Sequence, residues 1–367
     1  MADNLSAWRR FDFILFGSVI ILVVFGILMI DSATQDAIDD DIISRVPDQI
    51  NYALIGCAIV LVIASIDYRL LGGITPWLYA GMIIMLALVR AFGVEGAGGA
   101  TRWINIGIRI QPSEIGKIIL IITLSQYLSA RYLQLNKLST VFRSLLHVAI
   151  PAGLIFIQPD LGTTIVFLFI WAVIIWAAGF RLRHLAMFAL VLAIALPIVF
   201  PLLPSYQRLR VETFLNPDPL SDAFYNINQA QISIGSGGLF GKGYYVGSQY
   251  TGRFLRVRHT EFILSVIGHE FGMAGGVAVL AMFALVLMRI LKGAREASDP
   301  LGSMICYGVA AMIFFQTMVS IGMNLRLLPV TGLTLPFVSS GGTSLLFTMV
   351  GIGLVQSVVM RRRRLNF

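Results

Sequence analysis

Long apolar runs separated by short polar segments dominate the pattern of this chain of 367 residues. A helix that crosses a bilayer needs about 20 mostly apolar residues, and runs close to this length recur along the whole chain. The run that begins at Pro112 qualifies although it carries Glu114 and Lys117 near its start. The predicted spans are residues 11–30, 75–92, 112–130, 163–179, 185–203, 263–290, 303–323 and 342–360.

Two further apolar runs, residues 52–66 and 144–157, are shorter than a full span. Their length alone fits re-entrant segments as well as crossing helices. When both are counted as crossing helices, the pattern predicts an all-α polytopic membrane protein with about ten transmembrane helices. Because neither an internal repeat nor a low-complexity linker divides residues 1–367, we expect a single transmembrane domain.

The composition excludes the soluble classes of protein. Charged residues make up 13% of the chain and hydrophobic residues 57%, whereas soluble domains carry about 25% charged residues. The formal net charge is +8. A basic excess can indicate a nucleic-acid partner, but no basic stripe interleaved with aromatic residues lies outside the apolar runs. We therefore assign the excess to membrane topology and expect no nucleic-acid partner.

The basic residues also predict the orientation of the chain, because short loops rich in Lys and Arg stay in the cytoplasm. With both termini in the cytoplasm, the acidic segment 31–51 and the long loop 204–260 face outward. This loop lies between the seventh and eighth predicted spans. The basic residues then placed inside include Arg9, Arg10, Arg69, Arg131, Lys137, Arg143, Arg289, Lys292 and Arg361 to Arg364.

Charged residues in or beside membrane spans are costly, so they are candidates for function. The first group, Arg102, Arg109, Glu114 and Lys117, follows a glycine-rich segment that we expect to form a loop. Glu114 and Lys117 share a helix face, which fits a simple ion pair that anchors the helix end. The alternative is a cationic pocket for phosphate, built from Arg102, Arg109 and Lys117. The pattern alone leaves both interpretations open.

Asp160 forms a second candidate, in the sequence QPDLG between two apolar runs. Pro159 and Gly162 interrupt helical structure there, and Asp at such a break often caps the N-terminus of the following helix. A carboxylate near membrane depth can instead pair with a cation or bind a metal ion. Both roles remain open from the sequence.

Glu261 is a third candidate, since it precedes a span and follows a segment rich in arginine. A carboxylate beside several cations at a membrane mouth fits a proton acceptor, but it also fits an ordinary ion pair. The nearby segment 234–243, IGSGGLFGKG, superficially resembles a phosphate-binding P-loop. It carries Ser236 where that motif needs glycine and Gly243 where it needs a hydroxyl residue, so we reject a nucleotide site.

Hydroxyl residues gather before the last span and form the fourth candidate group. They are Ser339, Ser340, Thr343 and Ser344. Hydroxyls and free N–H groups at the start of a helix can bind an anion or a lipid headgroup. Plain helix capping is the alternative, and the sequence does not decide between the two.

These segments, in this order, resemble the SEDS family (shape, elongation, division and sporulation). The short segment before the first span favours a RodA-like, elongation-type member over an FtsW-like, division-type member. The matching stretches cover nearly the whole chain. They are GATRWINIG followed by QPSEIGK, QPDLGT at 158–163, FLNPDPL at 214–220, AQISIGSGGLFGKG at 230–243, HTEFILSVIG at 259–268 and LTLPFVSSGGTS at 333–344.

The resemblance implies a peptidoglycan glycosyltransferase that polymerises lipid II into β-1,4 glycan strands on the outer face of the plasma membrane. It implies a class B penicillin-binding protein, the transpeptidase, as partner, together with the bilayer and other membrane proteins of the elongation complex. It places an essential carboxylate at position 261. It also implies functional charged residues at Arg109, Glu114, Lys117 and Asp160.

The chain departs from the family pattern at three places. Glu261 stands where the family usually has Asp, His269 and Glu270 replace an acidic pair, and Ser340 replaces the tyrosine of Ser-Tyr-Gly-Gly. One extra methylene moves the carboxylate of residue 261 by about 1 Å, and a misplacement of that size can cost about 100-fold in rate. The departures therefore bear on activity rather than on fold.

The expected reaction assigns a role to each candidate. The 4-hydroxyl of the acceptor sugar attacks the anomeric carbon of the donor, and undecaprenyl pyrophosphate leaves with inversion. Such a transfer needs a base on the nucleophile and charge stabilisation on the leaving group. We expect Glu261 to be the base, Arg109 and Lys117 to bind the diphosphate with Arg102 as a further candidate, and the hydroxyls of residues 339–344 to contact substrate.

Two questions stay open at the level of sequence. A divalent cation, Mg²⁺ or Mn²⁺, could share the work on the diphosphate with Asp160, although no metal-ligand spacing is visible and no other cofactor is expected. Intramembrane charges also suit a lipid II flippase or another transporter. A third reading is a non-catalytic scaffold for the penicillin-binding protein.

Overall fold

The computed structural model describes residues 8–34, 45–95, 101–105, 109–132, 137–181, 186, 200–218, 221–246 and 259–362. Helices dominate these residues, as the apolar pattern predicts. They are α1 (Phe13–Thr34), α2 (Arg45–Ser65), α3 (Leu71–Phe92), α4 (Pro112–Ser129), α5 (Leu138–Ile157), α6 (Leu161–Ala177), α7 (Ser205–Leu215), α8 (Asp222–Ser236), α9 (Ile263–Arg295), α10 (Pro300–Asn324) and α11 (Gly342–Met360). Two short 3₁₀ turns, Tyr68–Leu70 and Phe200–Leu202, accompany them.

Seven of the described helices are long and apolar enough to cross a membrane. They include α2 and α5, which extend the two short runs of the sequence to 21 and 20 residues, so a crossing helix fits both better than a re-entrant segment. Helix α6 is a shorter apolar helix of 17 residues. Most of the predicted span 185–203 lies outside the described residues.

The centre of the bundle is formed by α4, α10 and α11. Helix α10 packs against α4, α6 and α9, while α11 packs along α2. Both α10 and α11 are buried on almost every face, whereas α2 and α3 leave much of their apolar surface exposed. Exposed apolar surface of this extent suits contact with lipid rather than water.

A three-stranded antiparallel sheet replaces the loop that we expected between α3 and α4. Its strands are β1 (Val94–Glu95), β2 (Thr101–Asn105) and β3 (Arg109–Ile110), with Val94 opposite Trp103 and Asn105 opposite Arg109. Trp103 and Ile104 favour a strand, since aromatic and β-branched residues are enriched in strands, but the surrounding glycines hid it. This sheet carries Arg102 to the end of the bundle where α6 begins.

Helix α9 is broken at Gly272, whose φ of 64° lies in the left-handed region. The segment that resembles a P-loop docks at this break. Backbone N–H groups of Met273 and Ala274 donate to the carbonyls of Gly238 and Leu239, at 2.9 and 3.0 Å. In return, the carbonyls of residues 269 and 270 accept from residues 242 and 243 of the same segment. The segment therefore satisfies backbone groups that the break would leave unpaired at membrane depth.

The two ends of the bundle differ in their chemistry. At one end, ion pairs join the start of α1 to α9 and the end of α11 to the turn before α3. Arg289 lies 2.7 Å from Asp12, and Arg361 lies 3.5 Å from Asp67. At the opposite end, the starts of α6, α9 and α11 meet the end of α10. The candidate functional residues lie at this second end.

Candidate active site

Asp160 fixes one wall of the site by capping α6. Its Oδ1 accepts a hydrogen bond from the N–H of Thr163 at 3.1 Å, and its Oδ2 accepts from the hydroxyl of Thr163 at 3.0 Å. The capping role anticipated from the sequence is therefore present. Asp160 is also buried and lies 4.0 Å from Nε of Arg102, so it pairs with a cation as well.

Arg102 reaches this wall from β2. Its guanidinium donates to the carbonyl of Pro159, and its Nε faces Asp160. A second arginine, Arg210, comes from α7 in the long loop between the predicted seventh and eighth spans. Arg102 and Arg210 line one cavity together with Pro159, Leu161 and Thr331.

Gly332 marks the point on which three charged groups converge. A β-carbon at this position would lie 3.4 Å from Nη1 of Arg210, 3.5 Å from Nη1 of Arg102 and 3.7 Å from Oε1 of Glu261. Gly332 has a φ of 81°, which a residue with a side chain rarely adopts. The glycine thus leaves open the space between two guanidinium groups and one carboxylate.

The segment that carries Glu261 is held through its own backbone: three consecutive carbonyls, those of residues 259 to 261, accept hydrogen bonds from other parts of the chain. The N–H of Ser340 donates to the carbonyl of His259 at 2.9 Å, and the hydroxyl of Ser339 donates to that of Thr260 at 2.7 Å. The side-chain amide of Asn324 donates to the carbonyl of Glu261 at 2.9 Å. Residues from α10 and from the segment before α11 therefore fix the backbone from which the carboxylate projects.

The surroundings of Glu261 have opposing effects on the pKa of its carboxyl. Burial raises the pKa of its carboxyl, because the charged form loses solvation. Arg210 and Arg102 lower the pKa by stabilising the carboxylate, and Asp160 raises it further. The net shift of the pKa is upward, so this carboxyl binds a proton more readily than an ordinary glutamate does.

Lys117 and Glu114 form a buried pair of their own on α4. Lys117 Nζ is 2.7 Å from Glu114 Oε2, and the two side chains are only 1% and 7% exposed. This geometry favours the anchoring ion pair over our expectation that Lys117 binds the diphosphate. Arg109, the other expected diphosphate ligand, is exposed on β3. Within the described part of the chain, Arg102 and Arg210 are instead the arginines that act on Glu261.

The hydroxyl cluster divides by position. Ser339 and Ser340 are buried, and they bind the segment of Glu261 rather than capping α11, whose N-cap is Gly341. Ser344 accepts a hydrogen bond from Thr334 at 3.4 Å. The hydroxyl of Thr343 is buried and makes no hydrogen bond within the described part of the chain.

The remaining polar pair, His269 and Glu270, sits next to the break in α9. Nδ1 of His269 lies 2.8 Å from the hydroxyl of Ser236, and Glu270 accepts from the hydroxyl of Ser32 on α1. These contacts tie α9 to α8 and to α1. They therefore belong to the packing around the break and not to the convergence at Gly332.

Three residues of the site escaped the sequence analysis. Arg210 and Gln207 lie on α7, within a segment expected only as a long loop, and Asn324 ends an apolar span. The spacing of three residues between Gln207 and Arg210 would have placed them on one face, had a helix been predicted there. Asn324 offered a clearer signal, because an amide buried at the end of a span needs partners.

The described residues contain no cluster of three or more His, Cys, Asp or Glu side chains able to hold a metal ion. Of the two carboxylates near Gly332, that of Asp160 already accepts two hydrogen bonds from Thr163. The carboxylate of Glu261 lies in the field of two arginines. Among the described residues, Arg102 and Arg210 contribute positive charge beside Glu261.

Known proteins resemble this chain over its full length. Peptidoglycan glycosyltransferase MrdB of Escherichia coli (strain K12) is 35% identical over 370 residues, covering 100% of this chain and 99% of that protein. The probable peptidoglycan glycosyltransferase FtsW of Geobacter metallireducens is 33% identical, covering 98% of this chain and 97% of that protein.

Two solved structures share the fold. A chain of a structure described as "Structural coordination of polymerization and crosslinking by a peptidoglycan synthase complex" matches with a TM-score of 0.81 and 31% identity, over 96% of this chain and 98% of that one. The rod shape determining protein RodA of Thermus thermophilus matches with a TM-score of 0.73 and 29% identity, over 97% and 99%. The expected polytopic helical fold is thereby confirmed.

The family comparison agrees with the order of motifs in the sequence. A family model described as a cell cycle protein, FtsW/RodA/SpoVE, matches residues 12–364. This range includes each of the charged residues that meet at Gly332. The chain belongs to the FtsW/RodA/SpoVE family.

Proposed function

We propose that this integral membrane protein is a peptidoglycan glycosyltransferase that polymerises lipid II into β-1,4 glycan strands. The observation that carries the proposal is the convergence of Arg102, Arg210 and Glu261 on the open space at Gly332. A base and two fixed cations are the groups that a transfer from a diphosphate donor requires. The names of the relatives support the same activity.

Glu261 acts as the general base. It accepts the proton of the acceptor's 4-hydroxyl while that oxygen attacks the anomeric carbon of the donor sugar. Asn324 holds the backbone of Glu261, and Ser339 and Ser340 hold the two preceding residues, so the carboxylate keeps its direction during the reaction. Preorganisation of this kind reduces the cost of bringing the groups into line.

Arg102 and Arg210 bind the diphosphate and stabilise the charge that develops as the glycosidic bond breaks. Binding of the diphosphate by these arginines also changes the pKa of Glu261. Both arginines lower the pKa of Glu261 in the free protein. When a diphosphate neutralises them, that effect weakens and the pKa of Glu261 rises. Donor binding therefore makes the carboxylate a stronger base when the acceptor needs one.

We also propose an orientation of the bundle in the membrane. The end of the bundle with Asp12, Arg289 and Arg361 lies in the cytoplasm with both termini, as the positive-inside rule predicts. The end with Gly332 then faces outward from the bacterial plasma membrane. This is the side on which a polymerase of lipid II must act to deliver glycan strands to the wall.

The proposed partner is a class B penicillin-binding protein, whose transpeptidase would cross-link the new strands. The fold shared with a chain of a structure on coordinated polymerization and crosslinking supports this partner. Other membrane proteins of the elongation complex are further proposed partners. The partner proposal predicts faster polymerisation when purified protein is reconstituted with such a transpeptidase.

A divalent cation is a further proposal. Asp160 would hold Mg²⁺ or Mn²⁺, and the ion would add positive charge to that of the two arginines. Chelation by EDTA, followed by addition of each ion in turn, tests this role. Activity that survives chelation unchanged would contradict it.

The activity itself is tested with purified full-length protein and fluorescent lipid II. We expect glycan polymer from the wild type, and a loss of at least 100-fold in rate from the double variant Arg102→Gln, Arg210→Gln. Lipid II that crosses a vesicle bilayer without forming polymer would indicate a transporter instead. A protein that neither polymerises nor moves lipid II would indicate a scaffold.

A further inference from the structure

Helix α7 presents one face to the cavity beside Glu261. Gln207, Arg210 and Val211 all line this cavity, as their spacing of three and four residues requires. The opposite walls come from the turn before α6 and from the segment after α10. The other lining residues are Arg102, Pro159, Leu161, Pro329, Val330 and Thr331.

Gln207 is the unexplained polar group of this cavity. Gln207 is only 3% exposed, and neither its Oε1 nor its Nε2 has a hydrogen-bond partner in the described part of the chain. A buried carboxamide without partners costs free energy, so native proteins almost always satisfy such groups. A ligand group that both donates and accepts a hydrogen bond would satisfy this one.

The walls of the cavity narrow the chemistry of that ligand group. Beside the two arginines and Gln207, the lining is mostly apolar, from prolines, leucine and valines. A phosphate would be bound by the arginines and would gain little from these walls. An acetamido group combines an N–H donor, a carbonyl acceptor and a methyl group, and therefore matches both the carboxamide and its apolar surroundings.

The covalent structure of the donor places an acetamido group close to the diphosphate, as the positions of Gln207 and Arg210 require. In an N-acetylated amino sugar, the acetamido group is on C2, next to the anomeric carbon that carries the diphosphate. Gln207 and Arg210 are likewise neighbours on one face of α7. We propose that Gln207 binds the 2-acetamido group of the donor sugar while Arg210 binds its diphosphate. This assignment rests on the proposed function.

The test compares two forms of one ligand that carry the same charge and differ only at C2 of the donor sugar. One is lipid II labelled on its peptide; the other is a synthetic analogue with a 2-hydroxyl in place of the 2-acetamido group on the donor's muramic sugar. Equilibrium binding of each form is measured with detergent-solubilised full-length wild type, Gln207→Leu and a control, Gln231→Leu on α8. Polymer formation from natural lipid II is measured in the same samples.

We expect the wild type and Gln231→Leu to bind the acetamido form roughly tenfold or more tightly than the hydroxyl analogue. Gln207→Leu should bind both forms with nearly equal, weak affinity. Because each ratio comes from one protein sample, partial unfolding cannot produce the change. A wild-type ratio near one, or an unchanged ratio in Gln207→Leu, would overturn the assignment.

The two measurements separate this assignment from the proposed function. If the wild type discriminates between the ligands and Gln207→Leu does not, the acetamido site stands even when no polymer forms. In that case the polymerase proposal fails. If polymer forms without any discrimination, the polymerase proposal stands and the role of Gln207 is overturned.

Discussion

The side-chain amide of Asn324 donates a hydrogen bond to the backbone carbonyl of Glu261, with an Nδ2···O distance of 2.9 Å. The same nitrogen donates to the carbonyl of Ser320, and Oδ1 accepts from the hydroxyl of Ser265 at 2.8 Å. One amide at the end of α10 thus joins the proposed base to the first turn of α9. Asn324 is fully buried, so each of these bonds replaces contact with water.

Replacing Asn324 by leucine should impair catalysis more than substrate binding. The change keeps the size of the side chain but removes its hydrogen bonds to the carbonyls of Glu261 and Ser320 and to the hydroxyl of Ser265. We expect the free energy of unfolding to fall by about 1–3 kcal/mol. We expect kcat for polymerisation to fall by about 10- to 100-fold with little change in KM, because the carboxylate loses its direction.

Ser320→Ala is the matched control on the same helix. Ser320 is buried one turn before Asn324, and its hydroxyl makes no hydrogen bond in the described structure, whereas its backbone carbonyl stays available. This variant should retain both stability and kcat. Equal losses of kcat in the two variants would argue against a specific positioning role for Asn324.

Glu261→Gln should abolish polymerisation without unfolding the protein, because a neutral amide cannot accept the hydroxyl proton. The backbone bonds that hold residue 261 do not involve its side chain, so the fold should persist. Glu261→Asp should retain activity or raise it, since it restores the residue usual in the family. Polymerisation by Glu261→Gln at the wild-type rate would remove Glu261 as the base.

The activity of the protein should fall as the pH is lowered. This fall should begin at a higher pH than it would if the base were a glutamate with an ordinary pKa. The pKa of Glu261 is raised by burial, and only the deprotonated form can act as a base. The rate should therefore fall as the pH drops through this raised pKa. A profile of kcat/KM against pH measures the position of the acid limb in the free protein.

Substitutions around Glu261 should move that limb in opposite directions. Arg210 lowers the pKa of Glu261 and Asp160 raises it. Arg210→Gln should therefore shift the acid limb to higher pH, while Asp160→Asn should shift it to lower pH. Asparagine still caps a helix, so the second variant keeps the start of α6. Shifts of the same sign in both variants would exclude Glu261 as the titrating group.

The sequence predicted much of this architecture because membrane spans leave a strong signal. Runs of apolar residues fixed the positions of α1, α9, α10 and α11 to within a few residues. The break at Gly272 was missed, because the polar pair His269 and Glu270 before it does not by itself predict a break, and the apolar run continues beyond it. Its cause lies in a distant segment, residues 237–243, whose backbone replaces the lost helical bonds.

The site was predicted in part. Glu261, Arg102 and Asp160 stood out because charges beside apolar runs are rare. Arg210 could not be singled out in the same way, because charged residues are common in polar loops. Lys117 was expected to be a ligand because the sequence shows only that a cation lies near a span. Its burial against Glu114 depends on how α4 packs in the centre of the bundle.

The orientation of the bundle can be measured with cysteine labelling. Cysteines at Asn216, after α7, and at Arg295, at the end of α9, lie at opposite ends of the protein. In a background without Cys57 and Cys306, an impermeant thiol reagent added to intact cells should label the first position and spare the second. Labelling of position 295 alone would place the site at Gly332 in the cytoplasm.

The ion pair of Glu114 and Lys117 can be tested by removing one partner or both. Both side chains are almost completely buried, with 2.7 Å between their charged atoms. Removing one partner of such a pair leaves an uncompensated charge and costs about 3–5 kcal/mol, whereas replacing both can be nearly neutral. We therefore expect Lys117→Met to lower the thermal stability strongly, and the double variant with Glu114→Gln to recover it.

Activity decides between the pair and the alternative role of Lys117. If the lysine only neutralises Glu114, the double variant should recover polymerase activity together with stability. If the lysine binds the diphosphate, the double variant should be stable and inactive, because the leaving group would lack that charge. The burial of Lys117, and the presence of Arg102 and Arg210 beside Glu261, lead us to expect recovery. Melting curves and lipid II polymerisation, measured on the same preparations of both variants, separate the two outcomes.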